Sequence, residues 1–262
     1  MHLYRGLKLL KYVLFSRHSA GHGIHSPFIY HLVTDVFRNK IDPAIVCTVE
    51  TIRKKNLSDR RKIEVLDLGA GSSVMKSNAR RVSDIARYSS VSPKYGVLLA
   101  SMASEFGKNS ILELGTSVGV STMYLAMGAP GSKVVSVEGC PAIAELAREN
   151  FDDAGIGNIT LINGSFDEII PEVKRMKLSP GLVFIDGDHR ESSALRYFNE
   201  IVSMSVDDTV IIIDDIHSSE GMERAWTSMK QDSRISCTVD IFRMGILFLR
   251  KGVSHIDYII RY

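Results

Sequence analysis

Cysteine is scarce in this 262-residue chain: Cys47, Cys140 and Cys237 are scattered and odd in number. They exclude a disulfide framework and a zinc site of paired CxxC spacing, and they suit a reducing compartment. Long apolar runs are missing too. The longest, such as Val210-Ile211-Ile212-Ile213, are strand-sized and far short of the roughly 18 residues of a membrane span. Lys8, Lys11 and Arg17 interrupt the apolar N-terminal stretch and no small-residue cleavage site follows, so no signal peptide is expected and the expected location is the cytoplasm. Compositional bias is also absent. Apolar residues make up 45% and charged residues 24%, which excludes a disordered, collagenous or low-complexity chain.

What the chain does have is an uneven charge. Residues 1–62 hold twelve Lys and Arg against four Asp and Glu, a net of +8, whereas the whole chain carries +2, leaving −6 for the remaining 200 residues. Such an asymmetry reads either as a solvated face or as a surface for an anionic partner. Leu3, Leu7, Leu10 and Leu14 recur at helical spacing opposite Arg5, Lys8 and Lys11, predicting an amphipathic helix docked on its own domain or on a second subunit. A second helix is expected from Pro27 to Phe37, capped by Ser26. Between them, His18, His22 and His25 lie in a glycine-interrupted stretch with no cysteine or carboxylate beside them. That context favours a loop that packs or touches substrate over a metal site.

From Ser110 onward, strand-like runs alternate with helical ones. Strands are expected at Ser110 to Leu114, Lys133 to Val137, Ile159 to Ile162, Leu182 to Ile185, Thr209 to Ile213 and Ile246 to Leu249. Helices are expected at Ser121 to Met127, Pro141 to Phe151, Phe166 to Met176, Ser192 to Met204 and Gly221 to Gln231. This alternation implies an α/β fold with a mostly parallel sheet, whose ligands bind beyond the carboxyl ends of the strands.

Two glycine-rich turns compete for a cofactor, one at Asp67 to Ser73 and one at Glu113 to Ser121. A cofactor turn of this kind needs a second strand ending in an acid that can grip ribose hydroxyls. After Asp67 comes the helix-like stretch Arg80 to Tyr88, with no acid-terminated strand. After Glu113 comes Val134-Val135-Ser136-Val137-Glu138, twenty-five residues on. The second turn has the form acid-x-Gly-x-x-x-Gly rather than Gly-x-Gly-x-x-Gly, which suits a cofactor without a diphosphate and counts against a nicotinamide-dependent dehydrogenase.

The series Glu113-Leu114-Gly115-Thr116-Ser117-Val118-Gly119, Val137-Glu138, Asn163-Gly164-Ser165 and Phe184-Ile185-Asp186-Gly187-Asp188-His189 resembles the class I S-adenosylmethionine-dependent methyltransferases. It is most similar to the catechol and caffeoyl-CoA type and to the sugar O-methyltransferases. The likeness covers roughly residues 91 to 250, with Ser92-Pro93-Lys94-Tyr95-Gly96 where that family has a helix closing over the cofactor. It implies a Rossmann-like domain over 91–262 with a mostly parallel central sheet, preceded by a basic helical extension over 1–90 that bears on substrate preference.

The resemblance also implies roles. Glu138 would accept both ribose hydroxyls of S-adenosylmethionine. Gly115 and Gly119 would let backbone approach the cofactor, Thr116 and Gly139 would also bind it, Glu113, Ser117 and Ser121 would hold its amino-acid end, and Ser165 would touch the adenine. Asp186, followed twenty-eight residues later by Asp214-Asp215, would bind one Mg²⁺, a hard oxygen site. Catechol-type enzymes carry Asp-Asn at the second position and the sugar enzymes Asp-Asp, which disfavours a catechol. His189 occupies the place of a basic residue near the accepting hydroxyl, as general base or as a substrate contact, with His217 in reserve. The expected reaction is O-methylation of a small molecule by a homodimer. Methylation of tRNA or another nucleic acid stands second, because the chain lacks a basic stripe interleaved with aromatics.

Overall fold

The computed structural model describes residues 2–17, 21, 23–66, 78–252 and 255–262. His18, His22 and most of the first glycine-rich turn, from Asp67 on, lie outside the described residues. The chain forms two compact units, residues 40–180 and residues 1–39 with 181–262.

The chain begins with α1 (His2–Phe15) and α2 (Pro27–His31), the latter capped by Ser26, whose Oγ accepts from the Ile29 N–H at 3.4 Å. The single helix expected as far as Phe37 instead passes into a π-helical turn at Leu32–Val36, where the Phe37 N–H donates to the Leu32 carbonyl at 2.9 Å. Leu32, Val33 and Val36 are all buried on this wider turn.

In the unit of residues 40–180, Asp42 caps α3 (Pro43–Ser58), a helix the sequence reading did not anticipate. The short strands β1 (Lys62–Glu64) and β2 (Ala79–Arg81) pair antiparallel, and α4 (Val82–Ser89) and α5 (Pro93–Phe106) follow. Next come β3 (Ser110–Leu114), α6 (Val120–Gly128), β4 (Lys133–Glu138), α7 (Pro141–Asp153), β5 (Ile159–Asn163) and α8 (Phe166–Arg175). β4 pairs parallel with β3 on one side and with β5 on the other, so their carboxyl ends line one edge. All five residues of β3 are buried, as expected of a strand covered on both faces.

The other unit resumes with β6 (Leu182–Ile185), α9 (Glu191–Met204), β7 (Val210–Asp214), α10 (Glu220–Lys230), β8 (Cys237–Asp240), β9 (Met244–Phe248) and β10 (Ile256–Ile259). Its strand order is β10-β8-β9-β7-β6. Only the pairings of β9 are antiparallel; β6–β7 and β8–β10 are parallel. Parallel pairing thus dominates, and the fold is the expected α/β, Rossmann-like one with helices flanking a mostly parallel sheet.

Helix α1 packs on this unit by its polar side. Tyr4 Oη donates to Glu223 Oε2 at 3.2 Å, Lys8 Nζ meets Glu223 Oε1 at 2.5 Å, and Tyr12 Oη donates to the Ile260 carbonyl at 2.6 Å. These positions recur every four residues and form one stripe. The apolar side points away: Leu7, Leu10 and Leu14 are 61%, 58% and 69% exposed. The helix is therefore docked, as expected, but Leu7, Leu10 and Leu14 stay largely exposed. Among the described residues no helix is long and apolar enough to cross a membrane.

Candidate functional site

The turn after β3 is held in a conformation that few residues tolerate. Gly115, Ser117 and Gly119 have φ of +106°, +49° and +83°. The N–H groups of Gly115 and Thr116 both donate to the Val137 carbonyl, at 3.0 and 3.3 Å, which pins the turn to β4. Gly119 starts α6, and a Cβ there would lie 2.4 Å from Phe151 Cε1, so only glycine fits both the angle and the space. Asn150, one residue earlier on α7, donates to the Val118 carbonyl at 3.0 Å.

Glu113 is wholly buried at the end of β3. Its Oε2 accepts from Ser136 Oγ at 2.6 Å and from Thr122 Oγ1, while Thr116 Oγ1 lies 2.5 Å from Ser136 Oγ. This network braces the turn from beneath. Ser121, also buried, lies in the first turn of α6.

At the end of β4, Glu138 is aimed by two backbone donors. The Ser117 N–H reaches its Oε2 and the Cys140 N–H its Oε1, both at 2.9 Å, the second closing over Gly139. Each carboxylate oxygen has two acceptor positions, so a carboxylate held this way can also accept from a diol. Asn163 Nδ2 and the Gly164 N–H both donate to the Glu138 carbonyl, at 2.7 and 3.0 Å, tying the loop after β5 to the same edge. Ser165 caps α8 in a reciprocal box with Glu168. That capping role, unforeseen from sequence, engages the Ser165 hydroxyl and N–H alike.

In the unit of residues 1–39 and 181–262, Asp186 follows β6 and Asp214 ends β7, on the edge shared by these parallel strands. Asp214 is 1% exposed and receives the guanidinium fork of Arg243: Nε to Oδ1 at 3.0 Å and Nη2 to Oδ2 at 2.7 Å. Asp215, with φ of +52°, pairs with Arg5 of α1 at 3.0 Å. His189 Nε2 lies 3.5 Å from Asp186 Oδ1. Burial works against the charged imidazole, but the hydrogen bond and charge of Asp186, followed by the charges of Asp215 and Asp214, prevail and push His189 up to about 9. Burial, aided by the charge of Asp186, holds the Asp214 carboxyl above the ordinary carboxylate range while Arg243 opposes it.

His217 is clamped between Glu223 Oε2 at 2.9 Å (Nδ1) and Asp240 Oδ2 at 2.8 Å (Nε2). With both ring nitrogens engaged it anchors α10 and β8 and leaves no atom for proton abstraction.

Mg²⁺ was expected on Asp186, Asp214 and Asp215. Among the described residues, no three His, Cys, Asp or Glu side chains form a group able to hold a metal ion. The donors do not fit one as arranged, because cations of the chain itself lie against each carboxylate: Arg243 on Asp214, Arg5 on Asp215 and His189 beside Asp186. An arginine cannot shed its proton, and separating it from a buried carboxylate costs about 3–5 kcal/mol. Spacing gave no sign of Arg243, twenty-nine residues beyond Asp214 and brought to it by the antiparallel return of β9.

Residues 112–216 match a family model described as a methyltransferase domain. Over those residues the chain resembles a methyltransferase domain. Its match runs from β3 through β7 and so contains the glycine turn, Glu138, His189 and the acids. The resemblance to class I S-adenosylmethionine-dependent O-methyltransferases therefore stands. The chain is similar to a catechol O-methyltransferase of Niastella koreensis, 31% identical over 130 residues that cover 48% of this chain and 58% of the relative. A catechol O-methyltransferase of Mycobacterium tuberculosis is 31% identical over 134 residues, covering 50% of this chain and 59% of the relative. The chain thus spans less than two thirds of these relatives' own length. An O-methyltransferase from Bacillus cereus, solved in complex with SAH, shares the fold with a TM-score of 0.57 at 21% identity, over 80% of this chain and 92% of that one.

Proposed function

We propose that this chain is an S-adenosylmethionine-dependent O-methyltransferase acting on the hydroxyl of a small molecule. The observation that carries the reading is the Glu138 carboxylate, fixed by two backbone donors beside a turn of three positive-φ residues. Two oxygens held in one plane suit the two hydroxyls of a ribose. Gly115, Thr116, Gly119 and Gly139 admit the cofactor's approach, Ser117 and Ser121 take its amino-acid end, Glu113 braces them from below, and Ser165 lies on the adenine side. When bound, S-adenosylmethionine supplies an electrophilic methyl group. Calorimetric titration with S-adenosylmethionine tests this, and absence of binding by the folded protein would reject it.

Asp186 orients His189 through Nε2, and His189 accepts the proton of the attacking hydroxyl at Nδ1. With its pKa raised to about 9, His189 is mostly protonated at neutral pH. Turnover is therefore expected to rise with pH through about 9, and Asp186→Asn to move that inflection down toward 6.5. The linked stability runs the other way: the contribution of this pair is full below about 6.5 and is lost as pH rises through about 9. A pH–rate profile of Asp186→Asn that keeps the wild-type inflection would remove His189 from this role.

The exposed leucine face of α1 suits a second copy of this chain. Arg5 and Lys8, which would flank a lipid-facing helix, are turned inward onto Asp215 and Glu223. Light scattering is expected to give a dimer, and Leu10→Glu with Leu14→Glu a monomer; a monomeric wild type would rule this interface out. Acceptor choice is assigned to residues 1–90. Three free thiols support a cytoplasmic setting.

Nucleic-acid methylation is the second reading, favoured by the +8 segment. Ion pairs absorb Arg5, Lys8, Arg53, Lys55 and Arg61 of that segment. Retention on RNA at moderate salt would revive it.

A further inference from the structure

We propose that Arg243 occupies the cation position of the acid centre, so that this chain transfers methyl groups without a divalent metal. The proposal rests on the methyltransferase reading above and deepens it.

Three observations carry it. Asp214 is buried at the end of β7, where a carboxylate needs a counter-charge, and the Arg243 fork supplies one through both carboxylate oxygens. The fork is set by the fold: Asp214 pairs with Met244 across the β7–β9 ladder, so Arg243 enters β9 directly beside it. The Ile216 N–H also reaches the Arg243 carbonyl, at 3.4 Å, so the backbones flanking both partners are joined. Finally, the neighbouring carboxylates are matched in kind, Asp215 by Arg5 and Asp186 by His189. A divalent ion would add two positive charges to a centre that already holds a permanent guanidinium.

Such a centre keeps one function that a metal would have and omits another. The guanidinium neutralises the acids and presents N–H donors, but it has no open coordination position with which to bind an alkoxide. Removal of the acceptor's proton then falls wholly to the His189–Asp186 pair, and the oxygen's lone pair forms the new bond to the methyl carbon as the carbon–sulfur bond breaks.

The test is Mn²⁺ titration followed by the electron paramagnetic resonance of the free ion. Wild-type protein, with or without S-adenosylmethionine, is expected to leave the signal of sub-millimolar Mn²⁺ undiminished, and Arg243→Ala to bind one Mn²⁺ per chain at least 10-fold more tightly. If Arg243→Ala does not fold, Arg243→Gln, which keeps bulk and hydrogen bonding but no charge, is expected to gain the same site. Stoichiometric Mn²⁺ binding by the wild type overturns the proposal, and so does a folded variant that gains none. Calorimetry with S-adenosylmethionine in EDTA separates the two readings: if the wild type takes up Mn²⁺ in the first experiment yet still binds the cofactor in EDTA, the arginine assignment alone falls.

Discussion

Glu138→Ala is expected to weaken S-adenosylmethionine binding by at least about 100-fold in calorimetric titration while the protein stays folded. The magnitude follows from two hydrogen bonds to a charged acceptor, each contributing about 1.5–3 kcal/mol. The side chain sits at the end of β4, and its aim depends on the Ser117 and Cys140 amides. Its removal therefore also leaves two oriented N–H groups without this acceptor. Glu138→Gln keeps one oxygen and loses the charge, so a smaller loss, of about 10-fold, is expected. Unchanged affinity in a folded Glu138→Ala protein would mean that this carboxylate holds only the turn.

Gly119→Ala is expected to cost substantial stability through a single added methyl group. A non-glycine residue in the left-handed region costs about 1–2 kcal/mol, and overpacking against a buried ring about 1–3 kcal/mol more. Both apply at φ +83° with Phe151 Cε1 2.4 Å from the added carbon. The summed loss of about 2–5 kcal/mol corresponds to a fall in Tm on the order of 5–15 °C. The steric part is separable. In Gly119→Ala with Phe151→Leu the clash is relieved, and the double-mutant cycle is expected to show favourable coupling of about 1 kcal/mol or more. Strict additivity would place the whole effect in the backbone angle.

The sheet elements that the sequence disclosed are those richest in apolar residues. Ser110–Leu114 and Leu182–Ile185 read as strand-like apolar segments and formed strands with those bounds. β8 and β10 escaped notice because they are four residues long and carry Thr238, Asp240 and Asp257 among their apolar residues. Helix α1 was legible as an amphipathic helix, yet periodicity alone cannot tell which face meets the parent chain, and here tyrosine hydroxyls and cations found acids on α10 and after β7. The acids at the strand ends were legible in the same way, since spacing marks a βαβ step. Their counter-charges were not, because Arg5 and Arg243 reach them through tertiary contacts 210 and 29 residues apart.

The discontinuity of the unit that holds α1 constrains the order in which the chain can fold. The partners of this helix arrive late in synthesis: Asp215 lies 210 residues after Arg5, Glu223 215 after Lys8, and Ile260 248 after Tyr12. At about 5–20 residues per second, a ribosome needs on the order of ten seconds or more to deliver them. During that interval residues 40–180, whose β3, β4 and β5 are joined by nearby crossovers, can assemble, while α1 has neither its acids nor its carbonyl acceptors. Closing loops of this length is slow and costly in chain entropy. Helix α1 is therefore among the last elements to settle, although it is made before all of these partners.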